Sequence, residues 1–296
     1  LKKSNSHPKR SAGKNNSATA SFSKRAVTET LIRRWRNGKA LKPSIDQLTG
    51  EEPLEIRVQG RAIAVTMRTP GHDSELAAGF LLSEGLIRNP GDIIEIAHCQ
   101  RGESVGTENV LNVFLSPSVQ VDFDQLTRHV FASSSCGICG KSTIEAVHQR
   151  FAPVHAKMKV KVEKLLLLPE SFRRAQETFN RTGGIHAAAV FDSGGKLLIL
   201  REDVGRHNAV DKVIGSAMLQ KQLPLDGHIL LVSGRASFEI MQKALAAQIP
   251  IVAAVSAPSS LAVVFARESG QTLIGFLRDQ SLNVYSGHER VVGLVS

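Results

Sequence analysis

The most reactive side chains of the sequence stand close together in Ser133-Ser134-Ser135-Cys136-Gly137-Ile138-Cys139-Gly140-Lys141. A thiol is nucleophilic only as its thiolate, and a free cysteine keeps its proton up to about pH 8.5. The pair precedes segment 141–151, whose pattern predicts a helix. Uncapped N–H groups at such a helix start, its positive dipole end and the cation of Lys141 all favour a thiolate. Gly137 and Gly140 carry no side chain to obstruct a bulky partner. Three chemistries use a C-x-x-C pair. A structural zinc site needs about four N or S ligands, and the chain offers one further cysteine, Cys99, in a predicted strand and no histidine at finger spacing. Dithiol–disulfide exchange places the motif after the first strand of a small domain, whereas here a glycine follows each cysteine and the chain is large. The third is carriage of a sulfur atom as a persulfide on one thiolate, with its neighbour assisting or protecting it. The motif alone does not choose among the three.

Other polar segments fall where a strand gives way to a helix. Ser233-Gly234-Arg235-Ala236-Ser237 is either a backbone cradle for a phosphate or a plain turn with a solvated arginine. Glu202-Asp203-Val204-Gly205-Arg206-His207-Asn208 crowds the expected C-terminal end of a strand, where α/β sites form. A helix cap with surface ion pairs accounts for it equally well. His186, after Thr182-Gly183-Gly184, is either a hydrogen-bonded structural histidine or a functional one.

These segments need elements to position them. Residues 55–69 predict two strands around Gln59-Gly60, and 73–87 predict a helix capped by Asp73 or Ser74. Strands are expected at 92–97 and 110–115. Beyond 185 the pattern alternates: a hairpin around Asp192-Ser193-Gly194-Gly195, then helix 206–220, strand 228–232, helix 236–248, strand 251–255, helix 259–267 and strand 272–276. Strands spaced by helices of this length point to an α/β layer fold with a mixed sheet. The expected organisation is a basic leader over 1–28, an α+β portion over 29–130, and an α/β domain over 131–296 beginning with the cysteine loop.

Composition narrows the class. The 296 residues are 42% hydrophobic and 22% charged, within the globular range, with aromatics at only 5%, so the core must be aliphatic. No apolar run reaches the roughly 18–20 residues of a membrane span. Of the net charge of +10, seven cations between Lys2 and Arg25 precede the first acid, Glu29, which leaves an ordinary balance for the rest. Rich in Ser, Asn and Ala and without apolar period, that segment reads as a solvated, disordered leader rather than a nucleic-acid arm. It lacks the apolar stretch of a secretory signal. The expectation is a cytoplasmic protein with no membrane and no nucleic-acid role.

Five stretches occur in a characteristic order: SSCGICGK, TGGIHAAAVF, REDVGRHNAVDKVIG, SGRASFEIMQKALAAQIPIVAAVSAPSSLAV and LIGF. Together, over about 52–292, they resemble the FdhD family of formate dehydrogenase accessory sulfurtransferases. The resemblance implies a cytidine-deaminase-like α/β fold with flanking helices and a smaller N-terminal α+β portion. It places the persulfide carrier on Cys136 and an auxiliary thiol on Cys139. A cysteine desulfurase is implied as sulfur donor, the molybdenum bis(molybdopterin guanine dinucleotide) cofactor as acceptor, and formate dehydrogenase as the enzyme served. Guanine-nucleotide contacts fall on Phe276, Leu277, Arg278, Asp279, Gln280 and Ser281, and the family suggests a homodimer. A non-catalytic cofactor-binding chaperone is the alternative. Zinc deaminases need His-x-Glu and Pro-Cys-x-x-Cys. Here Ser135 precedes Cys136, and His72-Asp73-Ser74-Glu75 has the wrong spacing, so no metal is expected.

Overall fold

The computed structural model describes residues 26–99, 108–121, 123 and 140–294; the basic leader through residue 25, Cys136 and Cys139 lie outside them. Strands β1 (Val27–Ile32) and β4 (Ser44–Thr49) pair antiparallel, with the short β2 (Trp35–Arg36) and β3 (Lys39–Ala40) between them. A four-stranded sheet follows, from β5 (Glu52–Val58), β6 (Arg61–Arg68), β7 (Ile93–His98) and β8 (Val110–Leu115), in the order β6-β5-β8-β7. Helix α1 (Asp73–Ser83) leaves β6, and α2 (Gly140–Arg150) opens the second half. The Gln59-Gly60 turn joins β5 to β6 as expected. Neither Asp73 nor Ser74 caps α1: His72 is the N-cap, in the left-handed region, while Asp73 is held by Arg68 at 3.0 Å.

The short β9 (Val160–Lys161) leads into α3 (Val162–Arg174) and α4 (Glu177–Thr182). Then come β10 (His186–Asp192), β11 (Leu197–Asp203), α5 (Arg206–Leu219), β12 (His228–Val232), α6 (Phe238–Ala246), β13 (Ile251–Ala254), α7 (Ser260–Glu268), β14 (Thr272–Arg278), β15 (Ser281–Ser286) and β16 (Val291–Val292). Six of these strands form one sheet in the order β11-β10-β12-β13-β14-β15. Strands β12, β13 and β14 are parallel, and the other neighbours antiparallel.

Side chains alternate across that sheet, as the pleat requires. Ala188, Val190, Leu230, Val232, Val252 and Ala254 join the larger core, with α1, α5, α6, α7 and the four-stranded sheet. Ala187, Ala189, Phe191, Ile229, Leu231, Ile251 and Ala253 enter a second core, under Leu165, Leu168 and Phe172 of α3. Both faces are covered, which explains why these strands are continuously apolar.

The two halves meet where α1 crosses α5. A Cβ on Gly79 would lie 1.9 Å from the Asp211 carbonyl oxygen, and one on Gly215 would lie 1.8 Å from that of Glu75. Three polar networks, two buried and one half-buried, flank this backbone-to-backbone contact. Lys212 Nζ sits 2.6 Å from Asp203 and donates to Thr69 O at 2.8 Å. Lys243 donates to both oxygens of Asp211 at 2.8 Å, and Ser83 adds a bond at 3.0 Å. Arg201 Nη2 reaches Glu75 at 2.7 Å and Ser216 at 3.1 Å.

Gly215→Ala gains about 1 kcal/mol of helix propensity, yet it overpacks the crossing by more than that. It should lower stability by roughly 2 kcal/mol or more, seen as a reduced thermal midpoint. Gly91→Ala, with nothing within 4 Å of the new methyl, should leave the midpoint unchanged.

Candidate functional site

The strand directions bring the polar segments singled out in the sequence to one end of the six-stranded sheet. Strands β12, β13 and β14 finish there, β11 finishes there at Asp203, and the antiparallel β10 starts there at His186. The loops are tied together across that end. Ser233 Oγ accepts from Ala187 N at 2.9 Å and lies 3.3 Å from His186 Nδ1. Ser259 N donates to Ala236 O at 2.9 Å, and Phe276 N to Ser256 O at 3.1 Å. Backbone bonds thus carry the edge from His186 through the 233–237 loop and the 256–259 loop to Phe276.

The run 202–208 divides its labour. Glu202 accepts from the backbone N–H groups of Thr178 and Phe179, both at 2.8 Å, at the start of α4. Asp203 is fully buried and accepts from Gly205 N, Asn208 Nδ2 and Thr69 N. Asn208 also donates to Met67 O at 2.8 Å. Those three residues build the corner. Arg206 and His207, the first residues of α5, are left for the open edge. His207 Nε2 lies 3.3 Å from Ser237 Oγ and 3.9 Å from Glu239. Among the described residues Arg206 has no ion-pair partner, and its Nε is buried without a hydrogen-bond partner.

The electrostatics reflect this crowding. Burial, then the charge of Arg206, pushes His186 below the ordinary histidine value, against a pull from Asp203. Burial, then Lys243 and Arg206, brings His207 down to about 4, against Glu239. For Glu239 burial works upward, but the hydrogen bonds from Ser237 and its own backbone, with His207 and Arg206, hold the carboxyl below its usual value. Near neutral pH the edge therefore holds two neutral imidazoles around the Arg206 guanidinium, which has no ion-pair partner among the described residues. That set can donate hydrogen bonds to an anion.

The expected nucleotide segment lies at the same end but is not one surface. Phe276 is half-buried at the close of β14 with a φ of 53°, and the Arg278 guanidinium lies 5.6 Å from its ring centroid. Leu277 is fully buried in the second core. Asp279 and Gln280 make the exposed turn into Ser281, both with positive φ. Cys136 and Cys139 lie outside the described residues. The helix next to them, α2, is anchored: its Ile144 and Val147 are buried in the larger core, while His148 stacks on Phe265 and lies 3.0 Å from Ser269 Oγ.

Among the described residues no group of three or more His, Cys, Asp or Glu side chains can hold a metal ion, and no helix is long and apolar enough to cross a membrane. A cavity of about 360 Å³ lined by Lys157, Met158, Lys159, Ser193 and Asp226 lies at the opposite end of the sheet. Sequence reasoning did not single out Glu239. Its signal was an acid in the first turn of a helix, two residues after Ser237.

The arrangement and order of these segments are those of a known family, whose model, described as FdhD/NarQ, matches residues 49–292. The chain belongs to the FdhD/NarQ family. It is 52% identical over 253 residues to the sulfur carrier protein FdhD of Mycobacterium tuberculosis, covering 83% of this chain and 92% of that one. The FdhD of Streptomyces coelicolor is 50% identical over 272 residues, 90% and 96% of the two chains. A solved structure of a formate dehydrogenase accessory protein from Desulfotalea psychrophila superposes with a TM-score of 0.71 at 25% identity, covering 90% of this FdhD/NarQ chain and all of that one.

A histidine whose pKa is lowered by folding binds its proton more readily in the unfolded chain. Between about pH 6.5 and about 4, stability therefore rises with pH and is lost as the pH falls. The His207 ring signals should titrate near pH 4 by NMR. In His207→Gln the urea midpoint should change less over that window than in the parent protein.

Proposed function

We propose that this protein is a sulfurtransferase that carries persulfide sulfur on Cys136 from a cysteine desulfurase to the molybdenum bis(molybdopterin guanine dinucleotide) cofactor used by formate dehydrogenase. The observation that carries the proposal is the half-identical relationship to sulfur carrier proteins over most of the chain, joined to a Cys-Gly-Ile-Cys-Gly run before an anchored helix. The thiolate of Cys136 attacks the terminal sulfur of the donor's persulfide. The donor's S–S bond breaks, its cysteine leaves as thiolate, and a new persulfide forms on Cys136. Delivery as sulfide requires two electrons. Cys139 supplies them by attacking the Sγ of Cys136: the persulfide bond breaks, sulfide passes to the metal, and a Cys136–Cys139 disulfide remains for a cellular thiol to reduce.

The cofactor enters this reading as cargo. Its guanine dinucleotides would engage the edge that carries Phe276, Arg278, Asp279, Gln280 and Ser281, with Leu277 contributing as core beneath it. The mixed sheet with helices on both faces suits the deaminase-like arrangement the family implies. A homodimer working in the cytoplasm, with desulfurase and apo-formate dehydrogenase as partners, completes the proposal. The anion-suited edge around Arg206 owes nothing to the cysteines and favours a second reading, a chaperone that binds the cofactor without sulfur chemistry.

Incubation with a cysteine desulfurase and L-cysteine should add one sulfur atom to the peptide containing Cys136, removable by reductant and absent in Cys136→Ala. Formate dehydrogenase activity in cells should be lost with Cys136→Ala. Retained activity with that variant would establish the chaperone instead.

A further inference from the structure

The positive charge of the protein is concentrated in one part of the chain. Of 37 Lys and Arg and 27 Asp and Glu, twelve cations and one acid, Glu29, precede Ser44, so the chain from there on is within one charge of neutral. Five of the twelve, Arg33, Arg34, Arg36, Lys39 and Lys42, form a run without an acid at the far end of the ribbon made by β1 and β4. Every residue from 33 to 43 is exposed. Among the described residues Arg34 alone of the five has an ion-pair partner, Asp46 at 3.0 Å.

The ribbon is tied down near its base, where Thr49 Oγ1 lies 2.9 Å from Thr182 Oγ1 and Gln47 accepts from Arg181 at 3.1 Å. Beyond that point its apolar side chains face solvent. Leu31 and Ile45, directly opposite each other, are 68% and 59% exposed, and Trp35, opposite Ala40, is 73% exposed. A two-stranded ribbon is marginally stable in water by itself, so these side chains invite a cover that the described residues do not provide.

We propose that this arm is the docking surface for an acidic protein partner, with Trp35, Leu31 and Ile45 as the apolar centre and Arg33, Arg36, Lys39 and Lys42 as the charged rim. The inference rests on the proposed protein partners and deepens that reading by assigning a surface and a charge to the contact. It makes no use of the sheet end around His186 or of the cysteines. The composition selects a protein: Trp and Arg are the side chains that dominate protein interfaces. Single-stranded nucleic acid is held by several aromatics on which successive bases stack, and the arm has one, beside aliphatics. A membrane anchor would carry its apolar residues at the leading end, whereas Leu31 and Ile45 stand behind a basic tip. Exposed charges speed encounter and are screened beyond about 8 Å at physiological salt, and burial of Trp35 then slows release.

The chain has one Trp, so 5-fluorotryptophan labelling of the full-length protein gives a single fluorine resonance that reports the arm. Purified apo-formate dehydrogenase and cysteine desulfurase are titrated in turn as unlabelled probes, at low and at high salt. At least one should bind, shift that resonance, and bind more weakly as salt rises. Arg33→Glu with Arg36→Glu should weaken that binding about tenfold or more, and so should Trp35→Ala. All three side chains are exposed, so the thermal midpoint should not move. If it does, Lys39→Glu with Lys42→Glu, on the returning side of the arm, should produce the same loss of binding at an unchanged midpoint.

Binding with an unmoved resonance and indifference to both charge reversals would overturn the arm as docking surface and leave the proposed sulfur transfer standing. Failure of both proteins to bind would overturn the arm and those partnerships together. A resonance shifted by single-stranded RNA or by phosphatidylglycerol vesicles and by neither protein, or a dimer that falls to monomer on charge reversal, would assign the arm to another contact and overturn the proposal.

Discussion

Everything at the open end of the sheet depends on how closely α1 lies on α5. Helix axes normally stay about 8–10 Å apart because side chains stand between them. At Gly79 and Gly215 no side chain intervenes, and backbone meets backbone. This fixes the height of α5 over β10 and β11, and with it the position of the first residues of α5, Arg206 and His207. The N-terminal sheet and α1 are therefore a brace that holds the first two residues of α5 from behind.

The ion pairs around the crossing act in the same sense. A buried pair contributes little net stability, yet loss of one member is severe because the other charge is stranded. The buried pairs Asp203 with Lys212 and Asp211 with Lys243, and the half-buried Glu75 with Arg201, each link separate elements of the chain. They occupy the charges packed around α5, and Arg206 is what the arrangement leaves over. Its unpaired state among the described residues reflects the commitment of its neighbours.

Much of this was legible in the sequence. The strands at 228–232 and 251–255, the hairpin at 192–195 and the helix after the cysteines all appear close to where their patterns place them, since their apolar runs are long and their turn residues distinctive. Helix α3 was not legible: Leu165, Leu168 and Phe172 have helical spacing, but Pro169 within the run signals a break. Strands β1 and β4 were also missed, because their exposed Leu31, Ile45 and Leu48 obey no clean alternation. At the site, the sequence collected 202–208 and 233–237 but left open which residues build and which bind. That depends on partners such as Thr69, Met67 and Thr178, remote in sequence and brought close only by the tertiary fold.

The hairpin at Asp192-Ser193-Gly194-Gly195 closes the sheet at the far end from His186. Strand β10, seven residues long, spans the distance between them, about 20 Å at the rise of an extended strand. The molecule thus has a built-in handle: a label, an affinity tag or a surface tether placed at Ser193 or Gly194 holds the protein by its back, with the edge around His186 and Arg206 facing free solution.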